Sequence, residues 1–182
     1  MAESAFIIRV SEAEPLVCNL RAQFDSSAKL GVPAHITVLY PFMPPESITA
    51  AILQQARAAI SGIQPFEFRL AKVGRFPGVL YLAPEPTASF VELTDRLTRQ
   101  FPDFPPYAGK FQLLVPHLTV ADGGESQATV AEVQLLALMK QYGPVPARCD
   151  TVTLIENSSG RWKEKCSVPL GGVSDLSVFP NG

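Results

Sequence analysis

Two side chains in this sequence can exchange protons near neutral pH, and both sit in the same local frame. The only histidines, His35 and His117, are each followed two positions later by threonine, in His35-Ile36-Thr37-Val38 and His117-Leu118-Thr119-Val120. Threonine fills 9 of 182 positions, so chance is a poor explanation for the frame occurring at both. Residues i and i+2 of a strand share a face, about 7 Å apart along the backbone. His and Thr therefore project together, while Ile36/Val38 and Leu118/Val120 turn the other way into a core. An imidazole and a hydroxyl so placed can both reach one tetrahedral anion.

In-line displacement at phosphorus needs a base beside the attacking oxygen and an acid beside the leaving oxygen, on opposite sides of the phosphorus. Two such strands facing each other across a cleft supply one imidazole to each side and two hydroxyls for the non-bridging oxygens. An unperturbed imidazole pKa of about 6.5 allows one ring to be neutral while the other is protonated. The pattern suits phosphoester cleavage without a metal. One competing reading is a pair of core histidines whose threonines only satisfy strand propensity. Another is a metal site, which needs a further Asp, Glu or Cys ligand that neither motif offers at its i+2 position.

Apolar spacing and turn residues outline the elements that must hold these side chains. Strands are expected at Ser4–Val10, His35–Tyr40, Phe66–Leu70, Gly78–Leu82, Phe111–Val120, Cys149–Ile155 and Trp162–Val168. Helices are expected at Glu12–Phe24, from Pro44 to Ser61, at Thr87–Phe101 and at Gln127–Tyr142. Phe76-Pro77-Gly78 implies a hairpin turn, and Tyr40 falls on the face away from His35, in the core. The order helix, His-led strand, helix, strand, strand occurs around His35 and again 82 residues later around His117. This reads as an internal duplication within one domain over residues 1–182, of α+β class, with two similar lobes and mostly antiparallel pairing.

Composition narrows the function classes. With 47% apolar residues, 18% charged and a net charge of −2, the chain can fill a core and lacks the basic excess of a generic polyanion binder. Its 17 prolines argue for many short, punctuated elements rather than a long-helix bundle. Cys18, Cys149 and Cys166 form no CxxC pair, so buried thiols are expected rather than a disulfide or thiolate zinc site. No cationic leader precedes the apolar run from Ala5, and no stretch reaches the roughly 20 apolar residues of a membrane helix. A soluble, cytoplasmic monomer without cofactor or metal is expected.

The paired motifs resemble the two-histidine (2H) phosphoesterase superfamily, which includes the 2′-5′ RNA ligases and RNA 2′,3′-cyclic phosphodiesterases. The resemblance extends through His35 to Phe42, Gly74 to Leu82 and Pro116 to Val120, and so from about Ser4 to Val168. It implies a bilobal α+β fold with outer helices, a pseudo-twofold axis and a central cleft lined by both motifs. It further implies that His35 and His117 are the acid and base, with Thr37 and Thr119 as phosphate ligands. By analogy with members that open cyclic phosphates, His117 would activate water and His35 would protonate the leaving oxygen. The implied substrate is a 2′,3′-cyclic or 2′-5′-linked phosphodiester of an RNA end or small nucleotide. Many RNA-directed members carry an arginine shortly after the second motif, where this chain has Ala121 and Asp122. That departure and the acidic balance favour a small nucleotide-type diester. A nucleotide or RNA-end binding module without turnover, and a ligase running in reverse, are the alternatives.

Other residues carry weaker signals. Arg75 and Phe76, at a hairpin tip, could bind phosphate and stack a base, or could be a solvated Arg beside a turn-packing Phe. Arg161, Lys163 and Lys165 share a strand face that could steer an anion or protect an exposed edge. Gly123-Gly124 could hold a phosphate at a helix start or form a plain turn.

Overall fold

Period-two apolar runs become strands and period-3.6 runs become helices, in an order that builds two separate sheets. The computed structural model describes residues 2–110 and 113–172, so the Phe111-Gln112 start of a predicted strand and most of the Gly/Ser-rich tail lie outside the described residues. In chain order the elements are β1 (Ser4–Arg9), α1 (Glu14–Phe24), the single turn α2 (Ser26–Lys29), β2 (His35–Leu39), α3 (Ala50–Ile60), β3 (Phe66–Phe76) and β4 (Val79–Glu85), then α4 (Ala88–Gln100), β5 (Leu118–Ala121), α5 (Glu125–Tyr142), β6 (Val145–Cys149), β7 (Thr151–Glu156) and β8 (Lys163–Pro169). Short 3-10 turns precede α1 and α3 and interrupt the loop after α4.

One sheet has the order β2-β1-β7-β8 and the other β5-β4-β3-β6, every neighbouring pair antiparallel. We call them the His35 sheet and the His117 sheet. Each motif strand is the edge strand of its own sheet, and β2 lies next to β5, so the two motifs meet where the lobes meet. The expected α+β, bilobal and antiparallel architecture is the one observed.

The backing helices are exchanged between lobes. α1 follows β1 of the His35 sheet but lies against β5 and α5, whereas α4 follows β4 of the His117 sheet but lies against β2 and α3. One apolar core, from Phe6 and Ile8 through Ile36, Leu82, Phe90 and Leu135 to Leu154, is continuous through both lobes. A smaller cluster of Ala5, Ile7, Val32 and Ile155 covers the opposite face of the His35 sheet.

Several elements differ from their sequence outlines. The run expected as one strand at Cys149–Ile155 is two, β6 in the His117 sheet and β7 in the His35 sheet, and the chain changes sheets at Asp150. The expected strand ending at Val120 begins only at Leu118, because Pro116 has no N–H to donate to a ladder. α3 begins at Ala50 rather than near Pro44, with the Thr49 hydroxyl accepting from the Ile52 amide as its cap. Arg161 precedes β8, so only Lys163 and Lys165 of the basic trio lie on that edge strand. Cys149 is buried, and burial pushes its thiol pKa up to about 12. Cys18 is exposed on the solvent side of α1, against expectation. Among the described residues no helix is long and apolar enough to cross a membrane.

Candidate active site

The two motifs are built alike. In β2, Ile36 and Val38 are buried while His35 and Thr37 keep partial exposure; in and before β5, Leu118 and Val120 are buried while His117 and Thr119 keep partial exposure. Each strand also carries a bulge directly after its threonine. Ile7 pairs with Thr37 but Phe6 pairs with Leu39, skipping Val38; Tyr81 pairs with Thr119 but Leu80 pairs with Ala121, skipping Val120. A bulge adds a residue and bends the strand, so Val38 and Leu39 both enter the core, as do Val120 and Ala121. The Val38 carbonyl, set out of the ladder, accepts a 2.8 Å hydrogen bond from the buried Thr94 hydroxyl of α4.

The first bulge reverses the strand's phase and overturns the placement of Tyr40. Its ring packs on the small cluster of Ala5, Ile7 and Ile155, the face that Thr37 shares through its partner Ile7, and not in the main core. The Tyr40 hydroxyl donates to Glu3.

Both imidazoles are locked in one tautomer by the same contact. Nδ1–H of His35 donates to the Pro33 carbonyl at 2.8 Å, and Nδ1–H of His117 donates to the Val115 carbonyl at 2.7 Å. A carbonyl only accepts, so each Nδ1 carries a proton and each Nε2 lone pair is left to face a reactant. Upstream, the Glu14 carboxylate accepts from the Ala34 amide at 2.6 Å and fixes the approach to His35.

The electrostatics of the two rings differ. Desolvation by burial, with the Arg21 guanidinium second, lowers the His35 pKa to about 4. Desolvation also lowers His117, against the pull of its bond to Val115. The charge of a protonated His117 adds a further, smaller lowering to the His35 pKa.

The walls come from distant segments. Phe76 and Tyr81 stack with centroids 4.5 Å apart, and the His117 ring meets Phe76 at 5.1 Å and Tyr81 at 5.3 Å. Of the hairpin pair singled out in the sequence, only Phe76 lies against a histidine. Arg75, on the opposite face of β3, bonds to Glu132 at 2.9 Å and to Glu125 and Thr129 of α5, so it clamps the hairpin rather than facing the cleft. The Gly78 amide donates to Glu125, and Gly78, at φ 74°, makes the tight turn of that hairpin. Gly123 is a bend and Gly124 the N-cap of α5, and the Gly124 amide donates to the Gly78 carbonyl of the hairpin.

Sequence reasoning missed Tyr107. Its hydroxyl is hydrogen-bonded to that of Thr37, and its amide donates to the Tyr40 carbonyl. Tyr107 and Ala108 have φ of 52° and 54°, a conformation that costs non-glycine residues about 1–3 kcal/mol each and is held where surroundings demand it. The Pro105-Pro106 pair before them was the available signal, a stiff lead into a fixed turn. Asp122 also has a structural explanation. Its carboxylate accepts from the Ser26 amide at 2.9 Å and the Ser26 hydroxyl at 2.6 Å, so it ties the end of β5 to the start of α2.

Gly74 sets the position of the aromatic wall. It pairs across the ladder with Tyr81, and a Cβ there would lie 2.4 Å from the Tyr81 ring. Gly74→Ala is expected to cost about 1–3 kcal/mol in urea unfolding, as other overpacking changes do. Trimming the ring as well, in Gly74→Ala/Tyr81→Leu, should leave a total loss smaller than the sum of the two single losses.

Among the described residues no group of three or more His, Cys, Asp or Glu could hold a metal ion. Two crystal structures match the fold over 93% of this chain and 98% of their own: E. coli LigT complexed with 3′-AMP, at TM-score 0.57 and 18% identity, and TT0787 of Thermus thermophilus, at 0.58 and 16%. A Bacillus cytotoxicus protein, provisionally named a phosphoesterase, is 33% identical over 105 residues, which are 56% of this chain and 58% of that relative. The match thus spans little more than half the length of that curated relative. The family model described as the 2′-5′ RNA ligase superfamily matches residues 9–161, across both His-Thr motifs and both sheets, and the chain belongs to that superfamily of two-histidine phosphoesterases.

Proposed function

We propose that the protein is a metal-independent phosphodiesterase acting on a 2′,3′-cyclic or 2′-5′-linked phosphodiester of a nucleotide or RNA end. His35 and His117 are its acid–base pair, Thr37 and Thr119 hold the phosphate, and Phe76 lies against a base of the substrate. The observation that carries this reading is the matched tautomer lock, which leaves one Nε2 available from each lobe. The 3′-AMP bound to E. coli LigT, a protein of the same fold, supports a nucleotide as the ligand class.

In the chemical step a water oxygen bonds to phosphorus while its proton passes to the neutral Nε2 of the base. The bond from phosphorus to the leaving oxygen breaks, and that oxygen takes the Nε2 proton of the acid. The resemblance implies His35 as the acid. The field of the substrate-free site favours the reverse, because burial and Arg21 keep His35 neutral.

The free-enzyme pH profile follows from these shifts and is the same for either polarity. Activity requires one ring neutral and the other protonated, and both folded-state values lie below 6.5. The profile of kcat/KM is therefore a bell whose maximum lies between about pH 4 and pH 6.5 and whose basic limb falls before neutrality. Initial rates on a panel of 2′,3′-cyclic nucleotides and 2′-5′ dinucleotides, with and without EDTA and with products read by phosphorus NMR, test the reading. A 2′-phosphate product and EDTA-insensitive rates are expected. Turnover that appears only with added metal overturns it.

A further inference from the structure

The face of the His35 sheet that carries His35 continues past the motif into a cavity that nothing above uses. Arg9 is the cross-strand partner of His35, and the register carries the same face from Ile7 to Thr153 and from Ala5 to Ile155 and Glu164. There a cavity of about 220 Å³ is lined by Arg9, Pro33, Thr153, Ile155, Trp162 and Glu164. Pro33 is also the residue whose carbonyl orients His35, so the cavity and the motif share that residue.

Its lining is suited to one flat heteroaromatic ring. Pockets that enclose drug-sized ligands run to about 300–1,000 Å³, so this volume takes a fragment, such as a single nucleobase. Trp162 is fixed by its amide, which donates to the Leu30 carbonyl at 2.9 Å, and by its edge contact with Tyr40 at 6.3 Å. Thr153, whose hydroxyl is hydrogen-bonded to that of Ser167 at 3.3 Å, and the apolar Ile155 complete the lining. Arg9 and Glu164 form a 3.2 Å ion pair with both side chains about half exposed. Exposed pairs of this kind contribute little to stability, so the guanidinium can exchange Glu164 for a ligand oxygen at small cost.

The other lobe has a ring platform as well, the Phe76/Tyr81 stack against His117. Each lobe thus offers an aromatic surface, Phe76/Tyr81 beside His117 and Trp162 in the cavity that Arg9, the cross-strand partner of His35, lines. A mononucleoside cyclic phosphate carries a single base and can occupy only one of them. We propose that the Trp162 cavity binds the base of a second nucleoside, so that the preferred substrate is a diester joining two nucleosides, with a base on each side of the phosphorus. This rests on the phosphodiesterase reading and narrows it.

Trp162 is the only tryptophan in the chain, so its fluorescence reports on the cavity directly. The test compares a 2′-5′-linked diadenylate with adenosine 2′,3′-cyclic phosphate in the wild type, Trp162→Ala and Trp162→Phe. The diadenylate should quench Trp162 emission. Stacking of a base on an aromatic side chain is worth about 1–3 kcal/mol, so Trp162→Ala should lower kcat/KM on the diadenylate by about 5- to 150-fold. It should leave the cyclic phosphate within about twofold, and Trp162→Phe should recover most of the loss. Equal losses on both substrates, as misfolding would give, combined with no quenching in the wild type, overturn the proposal. If neither compound is turned over but Trp162→Ala weakens diadenylate binding by calorimetry, the phosphodiesterase reading fails and the cavity assignment stands.

Discussion

His35→Ala and His117→Ala are each expected to lower kcat/KM by about 10²–10⁴-fold, the usual contribution of one general acid or base, without changing the fold. Neither ring lies in the main core, and each side chain has one hydrogen bond, to a carbonyl two residues upstream. With only two histidines in the chain, no third imidazole can take over. Because the two rings act as a unit, the double variant should be little worse than the poorer single one. A nitrophenyl phosphodiester, whose leaving group needs no acid, separates the roles. With His117 as acid, His117→Ala should recover most of its rate on that ester while His35→Ala does not. Full activity in both folded single variants would falsify the assignment.

Arg21→Met is expected to be the most destabilising single change, by about 3–5 kcal/mol in urea unfolding. Arg21 and Asp25 form a 2.8 Å ion pair one turn apart at 2% and 1% exposure, so removing the cation strands a buried carboxylate. Asp25 also accepts from the Ser27 amide and hydroxyl to start α2, which keeps it from relaxing outward. Arg21→Met/Asp25→Asn should recover part of the loss, since it leaves no unpaired charge. The single change also reaches the site. Arg21 helps hold the His35 pKa down to about 4, so its removal lets that pKa rise toward 6.5 and shifts the acidic limb of the pH profile upward. If the folded fraction of Arg21→Met keeps the wild-type limb, Arg21 has no part in setting His35.

Much of the site was legible because strand periodicity is local. His at i and Thr at i+2 must share a face whatever lies around them, and the buried Ile36, Val38, Leu118 and Val120 follow from the same rule. What escaped was decided between strands. A bulge is a mismatch between two partners, so nothing within β2 alone announces that Val38 will be skipped and Tyr40 returned to the Thr37 side. The split of Cys149–Ile155 was hidden for a similar reason, since seven apolar and polar residues read alike whether they pair in one sheet or two. Arg75 showed its charge but not its partners, because Glu125 and Glu132 lie about fifty residues away. Asp122 looked like a liability beside the second motif until Ser26 was seen to occupy its carboxylate.

The exchange of α1 and α4 has a mechanical consequence. Each motif strand is buttressed by a strut that belongs, by chain order, to the other lobe. Swinging the lobes apart would strip that strut from both strands at once, and cutting the chain into halves would leave each half with the wrong one. The positions of both motif strands therefore depend on the same packing between lobes.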